Sequence, residues 1–169
     1  TVQKKIHRAD IVDVNGNIIG VTERLEAHNG SKILHPVVHL HVFNNKGELY
    51  LQKRPNWKEI QPNKWDTSVG GHVTWGEDIY TSLQRETQEE IGVVSFRPQL
   101  IANYIYESPI EKELIYVFKT IYNNSITPNK TELTEGRFWP INEINKELGT
   151  GLFTPNFEHE YNIYIKCNQ

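Results

Sequence analysis

The chain is expected to fold as a layered α/β (α+β) domain, and three observations predict it. Alternating, β-branched segments occur both before and after one long stretch of helical texture. That stretch, Asp78–Ile91, contains no Gly or Pro and places Ile79, Leu83 and Ile91 at spacings of four and eight. Two more helical segments come late in the chain, so both element types contribute layers.

The elements follow in order. Ile11–Gly20 reads as a β-hairpin around Asn15-Gly16, the pair that most readily supplies the positive φ angles of a tight turn. After a polar loop, Val37–Phe43 is alternating and β-branched, and Asn44–Gly47 turns it into a second strand, Glu48–Arg54. Pro55–Lys64 holds two prolines and is expected to be loop. Gly92 ends the central helix, because a residue without Cβ can take the left-handed conformation there. Strands are expected around Leu100–Glu107, Glu113–Tyr122 and Arg137–Trp139, a short helix opening at Pro140–Ile144, and another over Asn156–Lys166. Strand order is not set by these patterns.

Composition bounds the function. A length of 169 residues suits one domain, 1–169, with its own core. With 37% hydrophobic and 23% charged residues the chain reads as soluble and globular, and four Trp, eight Tyr and six Phe argue against disorder. No apolar run approaches the ~20 residues of a membrane helix. Thr1–His7 has no apolar stretch behind its charges, so no signal peptide is expected and the cytoplasm is the default location. Cys167 is the sole cysteine, which leaves no intrachain disulfide and no Cys-based zinc site. A net charge of −3 supplies no basic footprint for a nucleic-acid polymer. An anionic small molecule would need a local attractor, and a bound cation is the natural one.

The chemistry concentrates in Gly71–Val93. On a helix, Glu86, Glu89 and Glu90 stand at i, i+3 and i+4 and share a face. Three carboxylates so close repel unless a cation neutralises them, and hard oxygen ligands suit Mg²⁺ or Mn²⁺. An acidic pair alone is usually a solvated helix face. Here Gly71, Glu77, Arg85, Glu86, Glu89, Glu90 and Gly92 keep a spacing in which seven fixed positions coincide by chance on the order of once in 10⁹ start points.

This segment resembles the signature of the Nudix hydrolase superfamily, departing only at Thr87, where an aliphatic residue or Ala is usual. The resemblance implies an α/β/α sandwich with a mixed sheet. It implies Glu86, Glu89, Glu90 and the Gly71 carbonyl as ligands of Mg²⁺ or Mn²⁺, and Arg85 with Glu77 as an orienting ion pair. The expected reaction is hydrolysis of a diphosphate linkage in a nucleoside diphosphate derivative or similar small molecule. A divalent cation offsets charge that builds in the transition state. Glu89 is the expected general base. A homodimer is left open, and no membrane or nucleic-acid partner is expected.

A second resemblance covers most of residues 10–120. Asp10–Gly20, Ala27-His28, Leu34-His35, Phe43-Asn44, Trp65–Val69 and Gly71-His72 look like the type I isopentenyl-diphosphate isomerases, a Nudix branch. By that resemblance His28, His35, His72, Glu111 and Glu113 form a second metal site, and imidazole with carboxylate suits Mn²⁺ or Zn²⁺. The position expected to hold a catalytic cysteine is Gly70, which offers no proton donor, whereas the acidic helix is complete. Hydrolysis is therefore the favoured reading, with isomerisation and a non-catalytic Nudix binding module as alternatives. His39 and His41 read as ordinary strand residues. Trp57, Trp65, Trp75 and Trp139 could stack on a base but more often pack. Lys53 and Arg54 could contact phosphate, and Glu135 could be an auxiliary base.

Overall fold

The computed structural model describes residues 8–27, 30–129, 131 and 135–166. The element order is β1 Arg8–Val12, β2 Ile18–Glu23, α1 Arg24–Ala27, β3 Leu34–Phe43, β4 Leu49–Lys53, β5 Trp65–Asp66 and β6 Val69–His72. It continues with α2 Ile79–Ile91, β7 Gln99–Glu107, β8 Lys112–Ile121, β9 Glu135–Trp139, α3 Ile141–Glu147 and α4 Pro155–Glu160. The chain runs from α4 directly into a π-helical turn, Tyr161–Ile165.

β3 is the organising strand. Val38, Leu40 and Val42 alternate with His39 and His41, and both faces are buried. It pairs in parallel with β8 along its whole length, from Leu34↔Lys112 to Phe43↔Ile121. β7 extends the sheet antiparallel beyond β8. On the other side of β3, β6 pairs antiparallel with Val37–Leu40, while β4 touches β3 only at Phe43↔Leu49 before running on with β5 and β9. The result is one mixed seven-stranded sheet. β1 and β2 form a separate hairpin, turned at Gly16 with φ +84° and held to the turn between β6 and α2 by the Trp75 N–H donating to the Arg8 carbonyl at 3.1 Å.

Helices cover both faces of the sheet, which is the expected α/β/α sandwich. Val38, Leu40 and Val42 on one face of β3 bury against Leu83 and Ile91 of α2. Deleting such a side chain would cost about 2–5 kcal/mol. On the opposite side Leu49, Leu51, Trp65 and Trp139 pack with Ile144 of α3 and Phe157 and Tyr161 at the C-terminal helix. α2 is capped at both ends, at its C-terminus by the expected Gly92. The Asp78 side chain accepts from the Thr81 N–H at 2.8 Å, and Gly92 closes the helix at φ +69°.

Two expectations are refined. The segment around Gly70-Gly71 forms the strand β6, which the sequence patterns do not announce because its glycines hide the usual strand signal. The polar segment after the hairpin contains the single helical turn α1. Among the described residues no helix is long and apolar enough to cross a membrane. Thr1–His7, His28 and Cys167 lie outside the described residues.

Candidate active site and metal centres

Strand alternation on β6 sends neighbouring residues to opposite faces. Gly71, paired with Val38, faces α2; His72, paired with Val37, faces the other way. The Gly71 side is filled by Glu86. A Cβ at Gly71 would collide with the Glu86 carboxyl group, so only glycine lets the helix glutamate lie against this backbone.

Arg85 ties the loop to the helix. Its Nε donates to both carboxylate oxygens of Glu77 at 3.1 Å, and one terminal nitrogen donates to Glu86 at 2.7 Å and to Glu89 at 3.4 Å. The other reaches the His72 carbonyl at 3.3 Å and the Thr74 hydroxyl at 3.1 Å. Burial works against the guanidinium charge, but Glu77 and Glu86 outweigh it and hold Arg85 protonated. Burial likewise raises Glu77, and the hydrogen bonds and charge of Arg85 override it, leaving the carboxyl below its ordinary value. The expected Arg85–Glu77 pair is thus present, and Arg85 also engages Glu86 and Glu89.

Glu86, Glu89 and Glu90 emerge from one face of α2. Glu89 is the most open, its side chain 57% exposed, while Glu86 is 17% exposed beneath Arg85. Glu90 accepts from Gln52 Nε2 at 3.3 Å. Thr87, the departure from the expected pattern, is fully buried and satisfies its hydroxyl by donating to the Leu83 carbonyl at 2.6 Å. Such back-bonding is how a helix accommodates a buried threonine.

The second set converges as well. His35, His72, Glu111 and Glu113 each offer a ligand atom, all within 4.8 Å of one another. The parallel register puts His35 directly beside Glu113. The His35 and His72 rings stack at 5.5 Å, and each Nε2 lies 3.8 Å from the same Glu113 oxygen. His35 Nδ1 is 2.9 Å from the Ile33 carbonyl, the acceptor that fixes its proton on Nδ1 and turns the Nε2 lone pair toward the cluster. Two imidazoles and two carboxylates so placed fit a borderline divalent ion such as Mn²⁺ or Zn²⁺.

One buried constellation lies outside the sequence reading. His39 and His41 are strand residues as expected, yet their even spacing puts them on the His35 face, and both meet Glu160 of α4. Glu160 is fully buried and accepts from His39 Nδ1 at 2.9 Å, His41 Nε2 at 2.7 Å and the Tyr104 hydroxyl at 2.6 Å. Burial raises the carboxyl, but the two histidines override it and hold Glu160 well below the usual range. Burial lowers His39, and Glu160 more than reverses this, pushing it up to about 9. Three histidines at alternate positions of one buried strand were the signal available in the sequence.

The remaining candidates separate by burial. Trp65 and Trp139 pack edge-to-face at 5.1 Å in the core, with the Arg137 guanidinium over Trp139; Trp57 and Trp75 are exposed. Lys53 pairs with Glu135 at 3.4 Å, and Arg54 with Asp66 at 3.7 Å.

The NUDIX domain profile matches residues 33–157, a span that contains the acidic helix, Arg85 and all four clustered ligands, His35, His72, Glu111 and Glu113. The chain belongs to the Nudix family. An uncharacterised Nudix hydrolase of Listeria monocytogenes is 31% identical over 150 residues, covering 88% of each chain. Isopentenyl-diphosphate Delta-isomerase 1 of Photorhabdus laumondii is 28% identical over 159 residues, covering 89% of this chain and 90% of that protein. In three dimensions, a crystal structure of a Deinococcus radiodurans protein superposes with a TM-score of 0.78 at 21% identity, over 96% of this chain and 99% of that one. The NUDIX domain of Shewanella oneidensis NrtR, crystallised with ADP ribose, gives 0.55 at 13% identity, over 66% and 75%. This Nudix chain therefore combines a complete acidic helix with relatives in both the hydrolase and the isomerase branches.

Proposed function

We propose that the chain hydrolyses a diphosphate linkage in a small molecule such as a nucleoside diphosphate derivative, using Mg²⁺ or Mn²⁺. The observation that carries this reading is the assembled acidic face. Glu86 lies on Gly71, and Arg85 holds Glu77, Glu86 and Glu89 in one network. Glu86, Glu89, Glu90 and the Gly71 carbonyl would hold the cation, whose charge offsets that developing on the phosphoryl oxygens. Glu89 would take the proton of an attacking water, and its exposure, the greatest of the three, supports that role. Arg85 and Glu77 keep the loop and helix in register. His35, His72, Glu111 and Glu113, with His28 on the preceding segment, would hold a second ion that orients the substrate's anionic end.

The isomerase reading has two observations in its favour, the His35/His72/Glu111/Glu113 cluster and the similarity to an isopentenyl-diphosphate isomerase. It lacks a donor at Gly70, and double-bond migration needs a proton delivered to carbon. A panel of nucleoside diphosphates, nucleotide sugars, dinucleotides and isoprenoid diphosphates, assayed with Mg²⁺ or Mn²⁺ for phosphate and pyrophosphate release, tests the proposal. Metal-dependent release from at least one substrate is expected. Interconversion of isopentenyl and dimethylallyl diphosphate without any hydrolysis would replace it with the rival.

A further inference from the structure

The His39–Glu160 pair does not point into solid core. Beside it lies a cavity of about 120 Å³ lined by His39, Gln52, Arg54, Asp66, Gly70 and Glu90. That volume is well below the ~300–1,000 Å³ of a pocket for a whole small molecule, so the cavity receives one functional group. Glu160 occupies Nδ1 of His39 from behind, which leaves Nε2 as the ring's outward nitrogen. The Nε2 atom would stand 3.5 Å from a Cβ at Gly70, and Cδ2 3.3 Å, so the missing side chain of Gly70 is what opens the space at the imidazole tip.

We propose that this cavity is a subsite for one phosphoryl group of the substrate, in which His39, positioned by Glu160, donates Nε2–H to a phosphoryl oxygen. The inference rests on the diphosphate reading above and extends it to a residue outside the acidic helix. The charges in the cavity are consistent with it. Asp66 is already engaged by Arg54 at 3.7 Å, the Thr154 hydroxyl at 2.9 Å and the Thr67 N–H at 2.7 Å. Glu90 belongs to the helix face where a cation and a phosphoryl oxygen would share the site. A buried carboxylate behind the ring favours its charged form, and charge-assisted donors are the strong ones for phosphate. His41 and the Tyr104 hydroxyl brace Glu160 from its other sides, so the imidazole is held in one orientation before substrate arrives.

The test uses the full chain with methylenediphosphonate as a non-hydrolysable probe, its affinity measured by calorimetry with Mg²⁺ present and Mn²⁺ binding followed separately by electron paramagnetic resonance. His39→Gln keeps a polar side chain but removes the directed ring donor. Gly70→Ala keeps both His39 and Glu160 and puts a methyl group 3.3 Å from Cδ2 and 3.5 Å from Nε2 of the imidazole, in the space at its tip. Both should bind Mn²⁺ as the wild type does and bind the diphosphonate about tenfold or more weakly, the value of one charge-assisted contact. If His39→Gln binds the probe within about twofold of wild type, the subsite is wrong. Should that variant fail to fold, the same result for Gly70→Ala overturns it. A wild type that binds Mn²⁺ but no diphosphonate removes the diphosphate reading itself, and this inference with it.

Discussion

Replacing Arg85 by Lys isolates the contribution of a planar fork from that of a positive charge. The guanidinium engages five groups: Glu77, Glu86, Glu89, the His72 carbonyl and Thr74. A lysine ammonium reaches one carboxylate, or two at most, and cannot take the two-oxygen contact with Glu77. Two to three charge-assisted contacts are then lost, each worth about 1.5–3 kcal/mol when sheltered. The Arg85 side chain is 31% exposed, so solvent screening brings the sum down to about 2 kcal/mol. For a chain of this size that lowers the Tm by about 4–8 °C. Calorimetric unfolding without divalent ions measures it, and Mn²⁺ titration followed by electron paramagnetic resonance should show weaker binding, because Glu86 and Glu89 lose their positioning partner. An unchanged Tm together with unchanged Mn²⁺ affinity would show that the fork is not engaged in solution and that loop and helix are held by packing alone.

Three further outcomes are expected. Glu90→Gln should lower turnover of any hydrolysed diphosphate by about 10²-fold or more while the metal-free Tm holds or rises, since like-charge repulsion is relieved; full activity would remove Glu90 from the site. Gly71→Ala forces a methyl group into the Glu86 carboxyl, so stability should fall by about 1–3 kcal/mol and Mn²⁺ affinity should drop with it, measured by denaturant titration and ion titration. The third is a pH profile. Glu160 is depressed from 4.5, so its contribution is present above that value and lost as pH falls through the depressed one; His39 is raised from 6.5 to about 9, so its contribution is complete below 6.5 and lost as pH climbs through 9. Stability should therefore decline by up to about 3 kcal/mol between pH 6.5 and 9, and His39→Gln should flatten that decline; an identical slope in the variant would place the titration elsewhere.

What was legible in the sequence is what local rules control. Asp78, the Leu83 and Ile91 spacing and Gly92 act within a few residues, so α2 was readable almost to its ends. The hairpin at Asn15-Gly16 and the strands flanking Asn44–Gly47 were readable for the same reason. The acidic face was readable because helix geometry fixes which glutamates meet. Pairings across the sheet were not, since β3 and β8 are brought together by topology rather than by neighbouring residues. The same limit explains Glu160. Nothing near residue 160 announces that two histidines about 120 positions earlier will close on it. Gly71 falls between these cases, because its spacing was visible but the reason for it is a contact with Glu86 from another element.

The two faces of β3 carry different chemistry, and this bears on how the chain finds its register. A slip of one residue against β8 would exchange every side chain between faces. It would press His35, His39 and His41 into the Leu83 and Ile91 layer and strand Val38, Leu40 and Val42 opposite Glu160. It would also carry His35 away from Glu113. Each error penalises the others, so the strand has little freedom to settle wrongly. An ion or substrate that binds only when His35 and Glu113 stand side by side would discriminate between registers by the same criterion as the hydrophobic layer. Ligand affinity and folding fidelity are then written in one alternating row of residues, and single-residue insertions within Leu34–Phe43 should be tolerated by neither.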